Sequence, residues 1–160
     1  MRKSDKSNGA NMTLTRREMC ALFSAGALPS FATLQNATTP DESLPSATYP
    51  FEKLAVQTSA THVETRHVLK GKLATGESLE VHETTLPPGV MPHAPHHHVH
   101  SEMWFIREGT VELTINGTSN QLGPGGVGFV HSNEEHGIKS VGSAPAKYFV
   151  VAVGPGAGGR

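Results

Sequence analysis

Residues 110–122, TVELTINGTSNQL, constrain the fold more than any other stretch of the chain. Val111, Leu113 and Ile115 alternate with polar residues, so an extended backbone puts all three on one face. Asn116-Gly117 then reverses the chain, because both central positions of a type I′ turn need positive φ. Residues 118–122 read as the return strand. The same vocabulary recurs on either side. Residues 79–86 alternate imperfectly and stop at Pro87-Pro88-Gly89. Met103-Trp104-Phe105-Ile106 is a short apolar run ended by Gly109. Gly123-Pro124-Gly125-Gly126 is a further turn, after which Val127, Phe129 and His131 share a face. Residues 148–153 form a β-branched last strand. No amphipathic helix of useful length follows residue 40. The sequence therefore predicts an all-β sandwich or barrel of short strands. Its 160 residues suffice for one domain with its own core. Trp104, Phe129 and Phe149 are expected in that core, one of them as a pocket wall.

The first 32 residues differ from the remainder. Arg2, Lys3, Lys6, Arg16 and Arg17 face only Asp5 and Glu18, whereas the rest of the chain is acidic on balance. Arg16-Arg17 stands before a mildly apolar run from Met19 to Leu28, followed by Pro29 and by Ser30 and Ala32 at cleavage-site spacing. Residues 1–32 thus resemble a twin-arginine signal peptide, which predicts export to a periplasm without a stable membrane anchor. The competing expectation is a cytoplasmic protein with a disordered basic tail. Residues 33–59, with Pro40, Pro45 and Pro50, read as linker and arm, and 156–160 as a flexible tail. Formal net charge is −1, which gives no electrostatic footprint for nucleic acid. Cys20 alone excludes an intrachain disulfide and a thiolate-rich metal cage.

Four of the ten histidines fall within residues 96–100, in HHHVHSE, and a glutamate follows. In extended backbone His96, His98, His100 and Glu102 share one face, and His97, Val99 and Ser101 the other. Imidazole and carboxylate together are what first-row transition metals bind. Buried without a metal, each unsatisfied group would cost about 1–3 kcal/mol. His93, His97 and His131 are expected at the surface or behind the ligands. Glu80 and His82 share parity on strand 79–86. They are either a solvated strand face or acid/base and orienting groups reaching the same interior.

Gly89, His96-x-His98, Glu102 and Gly109 resemble the first motif of the cupin family, and Gly125 with His136 its second motif. In the second motif His131 stands where the family has Pro, Asn133 where it has Gly, and Ser140 where it has Asn. Asn can adopt the left-handed backbone that Gly provides. The resemblance implies a double-stranded β-helix, a jelly-roll barrel of about six to eight strands over residues 60–155. It implies metal ligands His96, His98, Glu102 and His136, with His100 as the rival to His98. The metal is one divalent ion among Mn, Fe, Co, Ni, Cu and Zn. It also implies a small-molecule ligand or substrate and a homodimer. Two functions follow: a small metalloenzyme of dioxygenase, isomerase or lyase type, or a non-catalytic module that binds or senses a small molecule or metal.

Overall fold

A computed structural model describes residues 43–158. Residues 1–32, read as a signal peptide, and Cys20 lie outside the described residues, as do 159 and 160. Among the described residues nine strands run in chain order: β1 Val56–Thr58, β2 Glu64–Lys72, β3 Ser78–Leu86, β4 Ser101–Glu108, β5 Val111–Ile115, β6 Thr118–Leu122, β7 Val127–Val130, β8 His136–Ser140 and β9 Ala146–Val153. A 3-10 turn, Phe51–Lys53, precedes them among the described residues. Every ladder is antiparallel. One sheet has the order β1-β2-β3-β9-β4-β7 and the other β6-β5-β8. Non-sequential neighbours of this kind, closed over one core, make the double-stranded β-helix.

The hairpin at residues 111–122 forms as its sequence dictates, with Asn116 at φ 48° and Gly117 at φ 78°. Inward positions of both sheets supply the core: Leu86, Trp104, Ile106, Val130, Tyr148 and Val150 from one, Val111, Leu113 and Ile138 from the other. Asn133, at φ 64°, takes the left-handed backbone expected of it.

Gly109 is fixed by more than its φ of +72°. A Cβ there would lie 2.6 Å from the Pro145 carbonyl oxygen and 2.7 Å from Ala146 Cα. Gly117 has a similar φ, +78°, but nothing lies within 4 Å of its added Cβ. Gly117→Ala is therefore expected to cost about 1–2 kcal/mol from backbone strain alone. Gly109→Ala adds a backbone clash and is expected to cost at least about 1 kcal/mol more. Urea unfolding of the two variants side by side measures the difference.

Several expectations need correction. The stretch read as linker and arm holds the 3-10 turn Phe51–Lys53 and β1, and Leu44 N–H donates to the Lys72 carbonyl at 2.7 Å. The tail finds packing as far as it is described, since Ala157 is buried and its N–H donates to Gly154. Phe129 is not core: Val127 and Phe129 point outward at 54% and 53% exposure, and Gly128 and Val130 point in. Phe149 is half-buried on the outer face, opposite Phe105. Trp104 is buried as expected.

The outer face also holds a buried ion. Glu83 is fully buried, with Arg66 Nη1 donating to Oε2 at 3.1 Å and Arg107 Nη2 3.7 Å from Oε1. Phe51 covers both guanidinium groups, at 4.9 and 4.7 Å from its ring centre. The short 3-10 turn is thus a lid on this ionic cluster.

Candidate metal centre

The two sheets part at one end of the barrel and enclose a cavity of about 930 Å³. Glu102 stands at the start of β4 and His136 at the start of β8, on the inward faces of opposite sheets. Residues 97–100 lie in no ladder, so the expected strand through 96–102 is broken. His96 is instead held beside β8 by an isolated antiparallel bridge. Its N–H donates to the His136 carbonyl at 3.0 Å, and the His136 N–H donates back at 2.9 Å. Such a doubly bonded pair puts both side chains on one side. The loop after β7 braces the rest: Asn133 N–H donates to the His98 carbonyl and the Ser132 hydroxyl to the Val99 carbonyl.

The alternation survives the broken strand. His96, His98, His100 and Glu102 line the cavity, while His97 and Val99 are exposed. His93 lies at the mouth, edge-on to the His96 ring at 4.3 Å. His131 is exposed and outside the cavity, against Phe129. Trp104 walls the site, 5.4 Å from the His136 ring. No motif marks His67, yet β2 brings it to the same cavity.

Two overlapping groups of donor atoms meet within 4.8 Å: His96, His98 and His136, and His98, His100 and Glu102. Hydrogen bonds set the tautomers. His98 Nδ1 lies 2.9 Å from the His100 carbonyl, and His136 Nδ1 2.9 Å from the Glu134 carbonyl. A carbonyl only accepts, so each Nδ1 carries the proton and each neutral ring presents a bare Nε2. Those two Nε2 atoms and His96 Nδ1 are buried without a hydrogen-bond partner among the described residues. Glu102 Oε1 lies 3.2 Å from His98 Nε2, and Oε2 lies 3.6 Å from His136 Nε2. His100 differs: its Nε2 hydrogen-bonds Glu102 Oε1 at 3.2 Å, while its ring stacks on His98 at 3.5 Å.

The electrostatics suit a cation. Burial, reinforced by the neighbouring imidazole of His93, pushes His96 down to about 4. Burial and the charge of His98 also lower His100. For Glu102 burial is the largest single influence and pushes upward. His136, His98 and His100 together outweigh it and hold the carboxyl at about 2. Burial opposes protonation of His136 as well, but Glu102 and the Glu134 carbonyl leave its value raised. Near neutral pH the site thus combines an anionic Glu102 carboxylate with His96 and His100 rings that resist protonation, a donor set compatible with a divalent transition metal.

Residues 82–152 match the family model of the cupin domain. The barrel has the cupin fold. The cupin barrel aligns with KdgF from a Halomonas species at 15% identity and a TM-score of 0.58, covering 68% of this chain and 94% of that one. It aligns with a protein described as a predicted oxalate decarboxylase, from Thermotoga maritima, at 20% identity and a TM-score of 0.58, covering 68% and 99%. At such identities the likeness shows the fold alone. L-ectoine synthase from Bordetella parapertussis is 37% identical over 78 residues, which are 48% of this chain and 56% of that protein. The chain thus spans about half the length of the curated relatives it matches.

Proposed function

We propose that this cupin binds one divalent transition metal through His96 Nδ1, His98 Nε2, His136 Nε2 and a Glu102 oxygen, and acts there on a small organic molecule. The observation that carries the reading is the convergence of three buried imidazole nitrogens, none with a hydrogen-bond partner among the described residues, beside an anionic glutamate. Unpaired buried polar atoms are costly, and a cation satisfies all three together. Between the rivals, His98 is the ligand, because His100 Nε2 is already engaged by Glu102 and so orients that carboxylate. The carbonyl partners of His98 and His136 fix the tautomers that ligation needs. When bound, the metal would supply Lewis acidity and a position for substrate oxygen. Trp104 and Tyr148 close the inner end of the cavity, and burial keeps the Tyr148 phenol protonated. Elemental analysis of native, untagged protein tests the reading: about one metal per chain is expected, and metal-free protein that stays metal-free on reconstitution would contradict it.

The second reading, a binding or sensing module, rests on the absence of a Lys or Tyr base within the two motifs apart from Lys139, which is exposed. Oxygen uptake by Fe²⁺-loaded protein with enediols and catechols, or lyase and isomerase turnover, favours the enzyme. Stoichiometric ligand capture without turnover favours the module.

Two further expectations belong to this reading. Residues 1–32 direct export and are removed near Ala32, for which N-terminal sequencing of the mature protein is the test; an intact terminus in the cytoplasm contradicts it. A second copy of the chain covers the outer face of β4 and β7. There Phe105, Val127 and Phe129 are 40%, 54% and 53% exposed, and the register pairs Phe105 with Val127 and Met103 with Phe129. Among the described residues β7 is also a sheet edge, where backbone groups are open to pairing. Light scattering is expected to give a dimer mass, and Phe129→Glu a monomer that still binds metal.

A further inference from the structure

We propose that His82 is an acid–base residue of this cavity, held in its working tautomer by Glu80, and serves a small enolisable carbonyl compound seated between it and Glu102. The proposal rests on the metal-site reading only for what holds the carbonyl end of that compound.

The sheet register puts the two groups on the inward face of one sheet, two strands apart. Across β3, β9 and β4, Glu80 pairs with Ala152, and Ala152 with Glu102. In the next inward row His82 pairs with Val150, and Val150 with Trp104. Neighbouring strands lie about 4.8 Å apart, so β3 and β4 are separated by about 10 Å. Within the sheet, the small side chain of Ala152 is the residue that separates Glu80 from Glu102 in this row. Room for a small molecule therefore remains over β9, with carboxylate-linked histidines on both sides. All of these residues line the same cavity.

Glu80 is not a solvated strand residue, since it is only 7% exposed. Its oxygens lie 3.0 and 2.9 Å from His82 Nδ1, and Oε1 lies 3.4 Å from His67 Nδ1. Burial is the largest single influence on this carboxyl and pushes it up. The contacts with His82 and His67 outweigh burial and hold it below the usual carboxylate range, so it is ionised at neutral pH. An ionised carboxylate only accepts, so His82 Nδ1 carries the proton and Nε2 is left with a lone pair. A carboxylate behind an imidazole fixes tautomer and orientation and stabilises the imidazolium that forms. The other titratable groups lining the cavity are His67 and Lys70 on β2, Tyr148 on β9, and His93 with the metal cluster.

The step conserves atoms and electrons. The C–H bond beside the carbonyl breaks, and an N–H bond forms at His82 Nε2. The C–H pair becomes the carbon–carbon double bond of an enolate, and a carbonyl pair moves onto oxygen. Return of the proton to the same carbon on the same face restores the compound, and its return on the opposite face inverts a stereocentre there. No oxidant or reductant is needed. A positioned base of this kind contributes about 10²–10⁴-fold to the rate.

Zinc-loaded full-length protein, ¹⁵N-labelled at histidine, with pyruvate in D₂O as the probe, tests this. NMR should find His82 protonated at Nδ1 with and without zinc. The wild type should exchange the pyruvate methyl protons. His82→Gln should keep its zinc and lose at least about 100-fold in exchange. Glu80→Gln, useful should the first variant misfold, should keep zinc, mix the His82 tautomers and slow exchange by about 10-fold or more. Unchanged exchange in either folded variant overturns the proposal, as does a bare Nδ1 on His82 or no exchange by the zinc-loaded wild type. Loss of zinc in His82→Gln overturns it too, because His82 would then belong to the metal's own shell. A wild type that binds no zinc sinks the metal-site reading instead, and the tautomer measurement still judges the pair of residues.

Discussion

Replacing His136 with alanine is expected to abolish stoichiometric metal binding, with affinity falling by at least about 100-fold, since even loss of a residue behind a ligand costs about 10–100-fold. The side chain is 2% exposed, its Nδ1 is tied to the Glu134 carbonyl, and no other residue of β8 can bring a nitrogen to the same place. His96→Ala should do the same. His97→Ala should leave binding intact, because residue 97 is exposed on the opposite side of the loop. If His97→Ala strips the metal and His98→Ala does not, the assignment falls. Harmless loss of His98 with damaging loss of His100 would exchange only those two roles. Acid should release the metal in a defined order. A raised His136 value means that protons compete first at that ligand, as pH falls towards and below the ordinary histidine range. His96, lowered to about 4, and Glu102, at about 2, resist protonation longer. Isothermal titration calorimetry of the wild type and each variant at several pH values reads both effects.

The second large effect is expected at Glu83, far from any ligand. Arg66→Met removes the closer of its two cationic partners and leaves a fully buried carboxylate with Arg107 at 3.7 Å. Breaking a buried pair from one side costs about 3–5 kcal/mol, because the remaining charge stays desolvated. At about 4 °C per kcal/mol, the melting temperature should fall by more than about 10 °C. The double variant Arg66→Met/Glu83→Leu should recover most of the loss, since apolar replacement of a whole buried pair is often neutral. A melting temperature unchanged in Arg66→Met would show that Arg107 and solvent suffice to hold Glu83. Calorimetric scans of the three proteins decide it.

Those two sites mark how far the sequence could be read. The hairpin was legible because Asn116-Gly117 and the alternation of Val111, Leu113 and Ile115 are local signals with one backbone solution. The histidine parity was legible too, although its stated reason, a continuous strand, was wrong. The His96–His136 bridge and the braces from Ser132 and Asn133 keep the alternation where no ladder exists. β2 went unseen because its register slips between His67 and Leu69, which breaks the period of two. Phe129 was misplaced because an apolar residue on a short strand gives no hint of which face meets the core. Glu80 and His82 shared a face in the sequence, but only the β3–β9–β4 register turns that face towards Glu102. Glu83 could not be read at all, since its partners come from β2 and from β4, in residues 17 and 24 positions away in the chain.

The central claim is that one metal sits among His96, His98, Glu102 and His136, and anomalous diffraction from zinc-soaked crystals of the full-length protein tests it most directly. A single strong peak is expected inside the barrel, about 2.0–2.2 Å from His96 Nδ1, His98 Nε2, His136 Nε2 and a Glu102 oxygen. A peak held instead by the exposed His93, His97 or His131, or an interior with no peak, would contradict it.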